Sequence, residues 1–63
     1  MTKRLLRRRE VEHLTGYSRS TIYRLMDINE FPRPVRLSAR SVAWVESDIQ
    51  AWIESRISES AAA

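Results

Sequence analysis

The only glycine of this 63-residue chain, Gly16, sits between two segments with helical apolar spacing. No other residue constrains the fold so tightly. A left-handed backbone is inexpensive at glycine, so Thr15 and Gly16 end the first segment and the chain turns into the second. The run Leu14-Thr15-Gly16-Tyr17-Ser18-Arg19-Ser20-Thr21-Ile22-Tyr23-Arg24-Leu25-Met26 reads as a helix end, a tight turn and a second helix.

The first helix is expected from Arg8 to Leu14. Val11 and Leu14 are three apart and share a face, while Glu10, Glu12 and His13 point outward. Leu5 and Leu6 precede it as further core candidates. Ser18 is the expected N-cap of the second helix, its hydroxyl accepting from the backbone N–H of Ser20 or Thr21. No capping box is possible there, because Thr21 stands where Glu or Gln would be needed. The helix should run to Asp27 or Ile28, with Ile22, Leu25 and Met26 as its apolar stripe. Arg19, Ser20, Tyr23, Arg24 and Asp27 lie largely off that stripe. Asn29 and Phe31-Pro32-Arg33-Pro34 end it.

Two short helices about a tight turn predict a helix-turn-helix. The second helix of that motif enters the major groove of DNA with its N-terminal half leading. Arg19, Ser20 and Arg24 are then candidate base or phosphate contacts. The hydroxyls of Ser18, Thr21 and Tyr23 suit phosphates.

Beyond the prolines, Val35-Arg36-Leu37 and Val42-Ala43-Trp44 flank Ser38-Ala39-Arg40-Ser41 and predict a hairpin. Pairing Leu37 with Val42 and Val35 with Trp44 puts four larger apolar side chains on one face. Arg36 falls on the other face and Arg40 at the tip, which makes the hairpin a basic wing. Arg36 has an alternative role, bonding Asp27 or Glu30. A last helix is expected from Glu46 or Ser47 to between Arg56 and Ser58, with Ile49, Trp52, Ile53 and Ile57 along one stripe. Ile57 is also a candidate dimer contact.

The expected fold is thus α+β, a small winged helix-turn-helix in the order helix, turn, helix, hairpin wing, helix. It forms one domain over residues 1–63, ordered from about residue 4 to 57, with a frayed tail from Ser58 to Ala63. The expected core comprises Leu6, Val11, Leu14, Ile22, Leu25, Met26, Phe31, Val35, Leu37, Val42, Trp44, Ile49, Trp52 and Ile53.

Charge supports the same division. Residues 3–40 carry ten Lys or Arg against four acids, a net of +6, while residues 41–63 carry a net of −3. Such polarity suggests a basic binding face, to which Arg7 and Arg9 belong, and an acidic supporting helix. With no cysteine and one histidine, zinc-finger and thiol chemistry are excluded. His13, beside Glu10 and Glu12 on a helical surface, is read as a spectator, and no enzyme activity, metal or cofactor is expected. No apolar run approaches the length of a membrane span and no signal core follows the basic start, so the expected location is the cytoplasm.

The consecutive motifs are more specific than the generic pattern. Arg4-Leu5-Leu6-Arg7 with Glu10-Val11, then Thr15 through Leu25, then Phe31-Pro32-Arg33-Pro34-Val35-Arg36-Leu37, Ser41-Val42-Ala43-Trp44, Glu46 and Ala51-Trp52 together resemble the AlpA family of prophage-encoded regulators. Tyr17 departs from the pattern, at a position where a smaller aliphatic residue is common. The resemblance covers about Arg4 to Arg56. It implies a MerR-like winged helix-turn-helix related to phage excisionases, of bacterial or phage origin. The recognition helix maps onto residues 18–28 and the wing onto residues 35–44. As a transcription factor the protein would bind promoter DNA, with RNA polymerase or the integrase machinery as further partners. As an excisionase-like architectural factor it would bend DNA at clustered sites, bound as a monomer or with weak, DNA-dependent self-association. A small protein-interaction module is the remaining alternative.

Overall fold

The computed structural model describes residues 3–62. Its elements are β1 (Leu5–Leu6), α1 (Arg8–Thr15), α2 (Arg19–Asp27), β2 (Val35–Ser38), β3 (Ser41–Val45) and α3 (Glu46–Ala62). Three strands form an antiparallel sheet in the order β1-β3-β2. The α+β winged helix-turn-helix expected from the sequence is present, with one addition. The chain begins on a short strand rather than on α1.

β1 pairs Leu5 with Val45 and Leu6 with Trp44. The Glu46 N–H then donates to the Arg4 carbonyl at 2.8 Å. This tie holds the start of α3 against the entry to α1. Arg7 stands at the N-cap of α1, where its N–H donates to Glu10 Oε1 at 2.9 Å. Thr15 Oγ1 donates to the Val11 carbonyl, and Gly16 ends the helix at φ +77° with its N–H on the Glu12 carbonyl. An added Cβ would meet nothing within 4 Å at Gly16, so the turn needs glycine for its backbone and not for space. Ser18 caps α2 by accepting from the Thr21 N–H at 3.4 Å. Asn29, at φ +59°, breaks the chain away from α2.

The core gathers Leu6, Val11, Ile22, Met26, Phe31, Trp44 and Ile49, with Tyr17, Tyr23, Leu25, Val42, Trp52 and Ile53 packed partly buried around it. The two tryptophans also hold the connector after α2. Trp44 Nε1–H donates to the Pro32 carbonyl and Trp52 Nε1–H to the Glu30 carbonyl, both at 2.9 Å. Phe31 lies between these anchors, its ring centroid 4.8 Å from that of Trp52 at an interplanar angle of 62°. Each indole thus supplies apolar area to the core and satisfies a carbonyl that the irregular segment leaves unpaired.

Three expected core residues are exposed. Leu14 is 52% exposed, Val35 40% and Leu37 49%. Leu14 fails because α1 has only two turns, and the core reaches Val11 but not the next turn. Its side chain borders an open groove instead.

The other two follow from strand register. Val35 pairs with Ala43, Arg36 with Val42 and Ser38 with Ser41, leaving Leu37 as the extra residue of a β-bulge. Neither Ala39 nor Arg40 has positive φ, so this two-residue turn is not of the primed kind that matches strand twist. The bulge next to it absorbs the mismatch. A shift of one residue exchanges sheet faces. Val35 therefore leaves the side shared by Leu6 and Trp44, and fully buried Ala43, absent from the expected core, lies opposite it.

α3 continues as helix through Ala62, past the expected end at Arg56 to Ser58, and Ala63 lies outside the described residues. Its final turns carry exposed Ile57. No helix among the described residues is long and apolar enough to cross a membrane.

Candidate nucleic-acid interface

α2 turns one stripe inward and leaves the other free. Ile22 and Met26 are buried and Leu25 is partly buried, while Arg19, Ser20 and Arg24 are exposed. At the helix start Ser18 Oγ lies 3.0 Å from Thr21 Oγ1 and 3.3 Å from Ser20 Oγ. Three hydroxyls therefore converge on the end of the helix where backbone N–H groups point outward. One turn on, the Arg19 guanidinium carbon lies 5.6 Å from the centroid of the Tyr23 ring. Tyr23 is partly buried against the core. It serves as a packed platform under Arg19 as well as a hydroxyl on the surface.

The hairpin carries a second basic group. Arg36 Nη2 donates to the Ala39 carbonyl at 3.5 Å and so folds over its own turn. The alternative bond from Arg36 to Asp27 or Glu30 does not occur. Arg40 stands in the turn itself, exposed. From the start of α1, Arg7 Nη1 donates to the Val42 carbonyl at 3.3 Å, and Val42 is the partner of Arg36 across the strands. Arg7 is thereby brought against the hairpin. Arg9 is exposed on α1. No hydrogen bond or ion pair among the described residues joins the α2 group to the hairpin group, so the core alone fixes their relation.

Ion pairing separates the arginines. The four ion pairs among the described residues use Arg4 with Glu10 and Glu46, Arg8 with Glu12, and Arg56 with Glu59. Arg7, Arg9, Arg19, Arg24, Arg36 and Arg40 take part in none of them. Arg33 is also outside them, but its guanidinium is spent on the Met26 carbonyl and Asn29 Oδ1. The six arginines singled out from the sequence thus remain as cationic groups without acidic partners.

The remaining surface shows an open groove of about 530 Å³ between α1 and the second half of α3, lined by Leu14, Tyr17, Trp52, Ile53, Arg56 and Ile57 among others. Arg56 caps one side, its guanidinium carbon 5.1 Å from the Trp52 ring centroid. No cluster of three or more His, Asp or Glu with metal-binding geometry occurs among the described residues.

With a small winged helix-turn-helix and its unpaired arginines in place, the family comparison decides the relationship. The family model described as prophage CP4-57 regulatory protein (AlpA) matches residues 4–57. The chain belongs to the AlpA family. That match runs from the residue before β1 into the second half of α3, so it takes in the two helices, the hairpin and the packing helix alike. The family description is that of a prophage regulatory protein. A relative from Enterobacteria phage P4, described as uncharacterized protein ORF88, is 51% identical over 55 residues. The match covers 87% of this chain but 62% of that relative, so the chain spans less than two thirds of the phage protein's length.

Proposed function

We propose that this AlpA-family protein is a sequence-specific duplex DNA-binding regulator. α2 enters the major groove, and the β2–β3 hairpin lies on the backbone or in the adjacent minor groove. The observation that carries the reading is the placement of four arginines without acidic partners on these exposed surfaces, Arg19 and Arg24 on α2 and Arg36 and Arg40 on the hairpin. The apolar side of the same α2 closes the core.

Each candidate has a role. Arg19 and Arg24 read base edges in this proposal, guanine being the natural bidentate partner of arginine. Ser18, Ser20, Thr21 and the Tyr23 hydroxyl hold phosphates beside the helix start, where the dipole adds to the attraction. Arg36 and Arg40 on the hairpin, with Arg7 and Arg9 from α1, neutralise further phosphates. The protein would act in the bacterial cytoplasm, on the nucleoid when bound, together with RNA polymerase or the integrase machinery. It carries out no catalysis and needs no cofactor.

Selection of bound duplexes from a random library, followed by footprinting on the winner, tests the reading. A protected span covering a major-groove segment and its flank is the expected result. The competing reading is a protein-interaction module, favoured by the groove with exposed Leu14 and Ile57. Failure to enrich any duplex at low salt would replace the DNA reading with that one.

A further inference from the structure

We propose that Leu37, pushed out of the strand ladder by the β2 bulge between Arg36 and Ser38, is an apolar wedge that enters the minor groove of duplex DNA and partly unstacks one base step. The inference rests on the DNA-binding reading above and adds the means by which the protein would bend its site.

A single exposed leucine is ordinary on a protein surface. Three observations set Leu37 apart. It is the unpaired residue of the bulge, since Arg36 still pairs with Val42 and Ser38 already pairs with Ser41. It is 49% exposed although it lies in a strand whose neighbour β3 holds fully buried Ala43 and Trp44. It also stands between two arginines that have no acidic partner, one of which braces the turn by its bond to the Ala39 carbonyl. Bulges re-aim side chains at functional edges. Here the re-aimed side chain is the one large apolar group in the run Arg36-Leu37-Ser38-Ala39-Arg40.

The chemistry of the partner follows. Arginines are drawn into narrow, A·T-rich minor grooves by their enhanced negative potential. An apolar side chain placed there gains by leaving water and sliding between bases, and leucine is among the residues that do so. Pyrimidine–purine steps such as TA unstack most readily and kink toward the major groove. A basic tip with a central leucine fits such a step beside the segment read by α2.

The test uses a duplex selected from the random library, with 2-aminopurine placed in turn at each flanking TA or CA step and a donor and acceptor dye at its ends. On binding, the wild-type protein should raise 2-aminopurine fluorescence at one step and shorten the end-to-end distance. Leu37→Ser should abolish both signals, leaving the salt dependence of binding and the melting temperature unchanged, because Leu37 supports neither phosphate contacts nor the core. Leu37→Phe should restore both signals. Wild-type binding with no unstacked step, or unstacking that survives Leu37→Ser, overturns the wedge while the DNA-binding reading stands. Absence of binding to any duplex overturns both.

Discussion

Arg19 lies over the ring of Tyr23, with 5.6 Å between the guanidinium carbon and the ring centroid, and the ring itself packs partly buried against the core. The contact limits where a long, flexible cation at the start of α2 can point. Arginine loses less freedom on binding when its plane is already supported. Tyr23→Leu should weaken binding to the selected duplex by about 0.5–1 kcal/mol, the range for an exposed cation–π contact. Tyr23→Phe keeps the platform and should lose less. Equal losses in equilibrium titrations of the two variants would show that the Tyr23 hydroxyl, not its ring, is what DNA binding needs.

Arg24 has neither an acidic partner nor an aromatic support. Arg24→Ala should reduce affinity for the selected duplex by about 1–3 kcal/mol, and for unrelated duplex by much less, if it reads a base edge. Comparing the two duplexes under one salt condition decides the matter. Equal losses on both would reassign Arg24 to a phosphate.

Arg40 is at the hairpin tip, where a phosphate contact carries no sequence information. Arg40→Ala should weaken both duplexes alike and reduce the slope of log K against log salt by roughly one unit. A slope unchanged from the wild type would remove Arg40 from the interface.

Trp44 is fully buried, and its indole N–H holds the Pro32 carbonyl at 2.9 Å. Trp44→Phe would leave that carbonyl without its donor and create space in the core. The hydrogen-bond loss alone should cost about 1–3 kcal/mol. Trp44→Ala should cost about 3–5 kcal/mol, enough to unfold a domain of this size. Thermal melts followed by circular dichroism check both, and a native-like melt of Trp44→Ala would contradict the core described above.

Gly16→Ala should cost about 1–2 kcal/mol, since a Cβ is strained at φ +77° even where nothing crowds it. Gly16→Asn should cost less, because asparagine tolerates the left-handed region. If alanine and asparagine destabilise equally in the same melts, backbone conformation is not the reason for glycine here.

The helices were legible because each carries its own punctuation. Gly16, Ser18 and Asn29 mark ends by local backbone chemistry, and the spacing of Ile22, Leu25 and Met26 marks a face. The strands lack such local signals. Leu5-Leu6 is too short to show a period and becomes a strand only through its partner Val45-Trp44. The hairpin register depended on whether Ser38-Ala39-Arg40-Ser41 forms the whole loop or a two-residue turn with a bulge. No glycine or asparagine in that run decides between them. The wrong choice placed Val35 and Leu37 in the core. The candidate DNA-binding residues were found by pattern and charge, but the sequence alone left open which arginines are held by acids. The Arg4, Arg8 and Arg56 pairs resolve that, although as exposed pairs they add little stability.

The central claim is that α2 reads a DNA sequence while the surrounding arginines hold its backbone. Equilibrium binding of the wild-type protein to the selected duplex and to an unrelated duplex, titrated across salt concentrations, tests it most directly. Both affinities should fall linearly in log salt, with the selected duplex remaining tighter by about 10³-fold or more throughout. Two superimposable salt lines would show charge-driven binding without sequence reading and would contradict the claim.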